Sequence, residues 1–302
     1  MINRLALLAI EIDIDPEIRE FGDLLLTWHG VFTAVGIAGG VYVAVLLARR
    51  LGFIDDDVYS VALIAIPGGI IGARALWVVE RWGDPGIESA MDILRVNEGG
   101  ISIYGAIIGG VVGGLAYGWI RKFPIRRALD IAGVAALVGM AIGRIGDLIN
   151  GEHFAEASSL PWAVKYVNDN NPSFAGHPEC SVDPLLFSFG DTSSICAQHP
   201  AVAYELLGDL LIVGLILGAI FFLRKDGVAF FASILLYSLM RLGLSELRID
   251  SKEIIWGLTT PQVTALFLIP VGVIGLIYTL RQSQRELPDE EPRAAPDAEA
   301  PT

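Results

Sequence analysis

Three arginines stand inside otherwise apolar stretches: Arg74, Arg144 and Arg241. A cation in hydrocarbon is costly and is normally retained for function, paired or facing a polar cavity. The bland alternative is snorkelling, in which a long side chain reaches the nearby interface. Arg144 has the most company, in the run Gly143-Arg144-Ile145-Gly146-Asp147-Leu148-Ile149-Asn150-Gly151-Glu152. Arg144 and Asp147 are i and i+3, so they meet on one helix face. Gly143, Gly146 and Gly151 suit close backbone approach or a sharp turn, and Asn150 and Glu152 then fall where a helix ends. Arg241 follows Tyr237 by four residues on the same face, with Glu246 and Arg248 just beyond. The chemistry these residues suit is an anion clamp, and the natural anion at that depth is a lipid phosphate.

Two histidines stand at the mouths of apolar runs. His29 lies in Trp28-His29-Gly30, and His199-Pro200 precedes Tyr204-Glu205. Each is a candidate general base or an ordinary interfacial residue. The segment Gly99-Gly100-Ile101-Ser102-Ile103-Tyr104-Gly105 reads as a glycine turn into a span, and Tyr104 is a third candidate base. Metal-ligand spacing is absent, as are a phosphate-binding loop, a dinucleotide fingerprint and a nucleophile elbow, so neither metal nor cofactor is expected.

The elements that must position these groups are membrane helices. In 302 residues the hydrophobic share is 53% and the charged share 18%, a balance wrong for a soluble domain of this length. Hydropathy gives seven spans of about 20 residues each, at 24–48, 58–79, 99–120, 128–149, 201–223, 227–247 and 263–280, so the fold class expected is all-α and polytopic. Dense basic pairs, such as Arg49-Arg50, Arg126-Arg127 and Arg224-Lys225, mark one set of loops as cytoplasmic and place the N-terminus outside. Spans two, four and six then run outward. Each carries its arginine five or six residues before the outer end, about 8 Å below the surface at 1.5 Å per residue.

The loop 150–200 is extracytoplasmic in this topology. It holds Cys180 and Cys196, which an oxidising compartment permits to pair, two independent thiols being the alternative. Gly105, Gly109 and Gly113, like Gly110, Gly114 and Gly118, repeat every four residues, a spacing that lets helices approach closely and can leave backbone facing a lipid cleft. No cleavable signal peptide is expected, since the run from Leu5 to Ile10 is short and lacks a cleavage site. Residues 1–282 read as one seven-span domain, and 283–302 as a disordered acidic cytoplasmic tail. The net charge of −13 argues against a nucleic-acid partner.

The run Gly143 to Glu152 closely resembles the signature of the prolipoprotein diacylglyceryl transferases. The Gly99–Gly105 turn, Trp28-His29-Gly30, Gly72-Ala73-Arg74, His199-Pro200 with Tyr204-Glu205, and Tyr237 with Arg241 and Arg248 resemble further landmarks of that family, in order, over about residues 24 to 282. Departures are present. Asp147 stands where the family usually has asparagine, Ala155 where a glycine closes the signature, and Tyr104 where many members carry histidine. Ser245 stands in place of glutamate, with Glu246 next to it, and His29 replaces a common tyrosine.

The resemblance implies transfer of the diacylglyceryl group of phosphatidylglycerol to the lipobox cysteine of prolipoprotein signal peptides in the bacterial cytoplasmic membrane, without a cofactor. It implies catalytic roles among Arg144, Arg241, Tyr104, Glu152 and His199. Lipid binding is implied by Arg144, Asp147, Asn150, Gly151, His29, Gly99, Gly100, Tyr237, Arg74 and Arg248. If Asp147 merely holds Arg144, Asp147→Asn should keep activity within about tenfold, a small part of what an electrostatic group supplies. The rivals are a silent lipid-binding relative and an anion or lipid transporter. Arginines confined to one side, with no inverted repeat, speak against transport.

Overall fold

The computed structural model describes residues 9–21, 24–83, 89, 100, 102–158, 160–168, 170–171, 197–251 and 253–284. Cys180, Cys196, Gly99, the first eight residues and the acidic tail from 285 onward lie outside them. Helices dominate: α1 (Trp28–Arg50), α2 (Asp55–Glu80), α3 (Ile103–Ile120), α4 (Ile125–Asn150), α5 (Ala201–Gly218, continued by a π-helical turn Ala219–Leu223), α6 (Val228–Leu244) and α7 (Thr260–Leu280). Six of these are long and apolar enough to cross a membrane, and the third is a shorter apolar helix. The chain is a polytopic membrane protein.

The chain is mostly helical as expected, and among the described residues three short two-stranded ribbons form at one end of the bundle. There β1 (Ile10–Ile12) runs parallel to β4 (Val164–Tyr166), β2 (Glu17–Phe21) pairs with β3 (Leu24–Thr27), and β5 (Glu253–Ile255) pairs with β6 (Leu258–Thr259). The apolar run Leu24–Leu26 passes for the start of the first span by hydropathy, but it is β3. The helix begins after Thr27, whose extended backbone and side-chain acceptance from the Gly30 amide at 3.1 Å form an N-cap. At the far end of the chain Pro270 lies inside a continuous α7, where it removes one donor without ending the helix.

Neighbouring helices pack as antiparallel pairs: α1 along α4, α2 along α3, and α6 along α7, with α4 also against α5 and α6. Glycines set the closest contacts. A Cβ on Gly105 or Gly109 would strike the carbonyl of Gly72 or Gly68, so the four-residue repeat in α3 lets two backbones touch. Gly146 of α4 has the same function toward α1. A Cβ there would come within 2.8 Å of the His29 Cα and 2.9 Å of the Trp28 carbonyl.

A dry core of Leu47, Leu51, Ile131, Val134, Leu137, Ile212 and Ile216 fills the half of the bundle away from the ribbons. Asp130 anchors that half. Its carboxylate, 2% exposed as a residue, accepts from the amides of Gly227 at 2.7 Å and Phe230 at 2.8 Å, satisfying the first turn of α6. With that end fixed, the polar side chains gather at the ribbon end.

Candidate active site

Glu205 stands one turn into α5, and its side chain is 2% exposed. Three arginines converge on it. Arg144 from α4 meets one oxygen at 2.6 Å. Arg241 from α6 donates to the other, and Arg248, after the 3₁₀ turn Ser245–Leu247, reaches the same oxygen at 3.3 Å. Arg241 and Arg248 make charge-assisted hydrogen bonds and Arg144 an ion pair, in a site nearly closed to water where such contacts weigh far more than at a surface. The carboxylate thus gathers cations from three elements distant in sequence into one cluster.

A second ring of acids holds the cluster from outside. Arg144 donates from Nη1 to Asp147 Oδ2 at 2.8 Å. Arg248 forks onto Asp250 through Nε at 2.9 Å and Nη2 at 2.5 Å. His153 bridges the two acids, 3.2 Å from Asp250 through Nδ1 and 3.6 Å from Asp147 through Nε2. Tyr237 presents its hydroxyl to Arg144. The Arg241 guanidinium makes no further hydrogen bond among the described residues, which leaves it donors for an anion.

The end of α4 is built from the signature run. Gly151 is left-handed at φ 61°, and its amide donates to the Asp147 carbonyl at 2.9 Å, which terminates the helix. Tyr166 donates to the Leu148 carbonyl at 2.8 Å and Asn171 to the Ile149 carbonyl at 3.2 Å, so the segment after α4 satisfies its last turn. Asn150, buried, accepts from the His29 amide at 3.3 Å and donates to Glu152 at 2.7 Å. The His29 ring meets Asp147 Oδ1 through Nδ1 at 2.5 Å, with Glu152 at 4.0 Å. His29, Asp147 and Glu152 thereby bring ligand-type atoms within 4.8 Å of one another. With Arg144 on the same aspartate, the group is a hydrogen-bonded cluster around Asp147.

The other sequence-derived candidates stand at varying removes. Tyr104, in the first turn of α3, shares a hydrogen bond with Thr264 of α7 at 3.1 Å. Arg74 is buried, donates to the Gly100 carbonyl at 3.2 Å and stacks over Trp77 at 4.6 Å. It neither joins the arginines on Glu205 nor snorkels, and it fastens the entry of α3. Gly100, left-handed at φ 72°, closes against the Trp77 ring. His199 has a buried Nδ1 with no hydrogen-bond partner among the described residues, and its ring lies 6.3 Å from Tyr204. Ala155 is fully buried, with its amide on Gln198 at 3.0 Å, so its methyl group is accommodated. Ser245 donates to the Arg241 carbonyl at 2.6 Å, and Glu246 accepts from Gln262, the residue that completes the capping box of α7.

A family model described as prolipoprotein diacylglyceryl transferase matches residues 16–278. The chain belongs to this family. The phosphatidylglycerol–prolipoprotein diacylglyceryl transferase of Nostoc sp. (strain PCC 7120 / SAG 25.82 / UTEX 2576) is 30% identical over 286 residues, covering 92% of this chain and 94% of that protein. The proteins of the same name from Symbiobacterium thermophilum and Clostridioides difficile (strain 630) are 30% and 28% identical over 271 and 268 residues. They cover 89% and 88% of this chain, and 94% and 95% of their own lengths.

Within this diacylglyceryl transferase, two of the departures seen in the sequence are neighbours in space. His29 and Asp147 are hydrogen-bonded to each other, so the two changes form one contact. Four participants escaped the sequence reading: Glu205, noted there merely as a landmark, together with Asp209, His153 and Asp250. The signal for the first two was available, since Glu205 and Asp209 are carboxylates i and i+4 inside an apolar span, as anomalous there as the arginines. Asp209 is fully buried, and neither of its oxygens has a hydrogen-bond partner among the described residues.

Asp250 lies outside the spans and titrates with the site's outer rim. Burial pushes its carboxyl up, but the hydrogen bonds from His153 and Arg248 outweigh this and hold it below the usual carboxylate range. Since the folded pKa is depressed, its contribution to stability is complete above that range and is lost as pH falls through and below it. Asp250→Asn is expected to lower the melting temperature at neutral pH and to flatten the acid limb of a pH–stability curve. An unchanged acid limb in detergent melts would show that another group controls it.

Proposed function

We propose that this chain transfers the diacylglyceryl group of phosphatidylglycerol to the lipobox cysteine of a prolipoprotein signal peptide, forming a thioether and releasing glycerol phosphate. The observation that carries the reading is the convergence of Arg144, Arg241 and Arg248 on one buried glutamate at the ribbon end of the bundle. Charge builds on the departing phosphate as the carbon–oxygen bond breaks. Preorganised cations in a site with little water stabilise that charge more than they stabilise the ground state. Arg241, with donors uncommitted, meets the phosphate, and Arg144 is held beside it by Glu205 and Asp147.

All seven helices span the membrane in this reading. The ribbon end and the 150–200 loop face outward, and the basic turns near Arg49-Arg50 and Arg126-Arg127 face the cytoplasm. The N-terminus is then outside and the C-terminus inside. Such an orientation in the cytoplasmic membrane of a bacterium puts the site where an exported signal peptide presents its cysteine. An apolar groove of about 330 Å³ between α2 and α3, lined by Gly72, Leu76, Val79, Gly105, Ile108 and Val112, suits an acyl chain entering from the bilayer. No step requires a cofactor.

The test is direct. The purified full chain is incubated with phosphatidylglycerol and a lipobox peptide, and the peptide is weighed. A mass increase of one diacylglyceryl group, abolished by removing phosphatidylglycerol, is the expected result. No adduct in any anionic lipid mixture, with lipid still bound, would replace this reading by that of a silent lipid-binding relative.

A further inference from the structure

His29 is the second residue of α1, and the structure fixes its ring from two directions. Gly146, lacking a Cβ, lets the backbone at Trp28 and His29 rest on α4. Asn150 accepts the His29 amide. Nδ1 then meets Asp147 Oδ1 at 2.5 Å, while Asp147 Oδ2 takes Arg144 at 2.8 Å. The carboxylate is an acceptor, so Nδ1 carries a proton, and in the neutral ring, the form that acts as a base, Nε2 keeps its lone pair. The aspartate side chain is 7% exposed and the histidine side chain 45% exposed. A buried acid thus orients an open imidazole beside the arginine cluster, the arrangement a general base needs.

The other described histidines lack this combination. His153 has Nδ1 on Arg248 and Asp250 and Nε2 directed at Asp147. The Nδ1 of His199 is buried without a hydrogen-bond partner among the described residues. The charged groups facing the His29 ring are Asp147 and Arg144 of α4 and Glu152 just beyond it.

We propose that His29, oriented by Asp147, is the base that takes the proton of the acceptor cysteine, an assignment resting on the transferase reading above. The thiol proton passes to Nε2, and the sulfur lone pair attacks the glyceryl carbon. The carbon–sulfur bond forms as the carbon–oxygen bond breaks, and its electron pair leaves with the phosphate. The proton then moves from Nε2 to the departing phosphate monoester, returning His29 to its starting form. Asp147 acts through His29 and Arg144 and is a positioning residue. Its replacement by asparagine therefore carries a larger expected loss than the tenfold limit set from sequence alone.

The experiment pairs two peptide substrates that differ in one atom, cysteine and selenocysteine at the acceptor position. A selenol is ionised at neutral pH and needs no base. His29→Gln is expected to slow transfer to the cysteine peptide by about 100-fold or more, within the range of general-base catalysis, and to the selenocysteine peptide by less than about tenfold. Asp147→Asn should follow the same pattern, and His29→Asn, with a melting curve matching the unsubstituted protein, guards against a folding defect. Equal losses with both peptides, or none with either, would overturn the assignment. If the unsubstituted protein transfers to neither peptide, the transferase reading itself fails; if it transfers to both and the variants do not discriminate, the base alone is wrong.

Discussion

Glu205→Gln is expected to lower diacylglyceryl transfer by at least about 100-fold, comparable to removing an electrostatic catalytic group, although glutamine is nearly isosteric. Among the described residues, the carboxylate is the sole acid that Arg144, Arg241 and Arg248 all touch. Without its charge, three guanidiniums share a site nearly closed to water and repel one another. Removing one partner from a buried ion pair typically costs about 3–5 kcal/mol, so the variant should also melt earlier in detergent. The two effects are separable. Arg248 is 6% exposed on its side chain and clamped by Asp250, so it should hold its place, whereas Arg144 and Arg241 at 15% and 14% have room to swing outward. Glu205→Asp keeps the charge on a shorter arm and should fall between the two. Full activity in Glu205→Gln, measured with phosphatidylglycerol and a lipobox peptide, would mean that the arginines are placed by packing alone.

Arg241→Ala should reduce kcat by about 10²–10³-fold with a smaller change in KM, as expected for donors that strengthen their hold as charge develops. Arg241→Lys should recover less than about tenfold of that loss. A lysine supplies one compact charge, whereas the guanidinium spends one edge on Glu205 and, in the proposed mechanism, offers another to the phosphate. The contrast separates charge from geometry: full recovery by lysine would mean that field strength suffices, and the fork is dispensable. A loss confined to KM would assign Arg241 to lipid capture in place of transition-state stabilisation.

The apolar helices, six of them long enough to cross a membrane, were legible in the sequence because a bilayer imposes one simple rule, about 20 apolar residues with internally satisfied backbone. The four-residue glycine repeat in α3 was legible for a related reason, since small residues at that spacing have few uses apart from close packing. The signature from Gly143 to Glu152 was readable as a helix end with an arginine and an acid on one face, and the structure places both in contact. Hydropathy failed at Leu24–Leu26, where strand pairing competes with helix for the same apolar residues and the Thr27 cap settles the boundary.

Sequence by itself therefore determined that this is a polytopic helical membrane protein with arginines retained against cost, and which family signature surrounds Arg144. Charge patterns along the chain carry that much, because insertion in a membrane is decided segment by segment. Tertiary structure alone decided how the three intramembrane arginines divide. Arg144 and Arg241 meet Glu205 with Arg248 from beyond the span, while Arg74 turns to Gly100 and Trp77. It also decided that His29 and Asp147, 118 positions apart, are one contact. Depth in the membrane is a one-dimensional property that a sequence displays; which side chains share an azimuth around the bundle depends on helix rotation and packing, and those are fixed only when glycines such as Gly146 bring the backbones together.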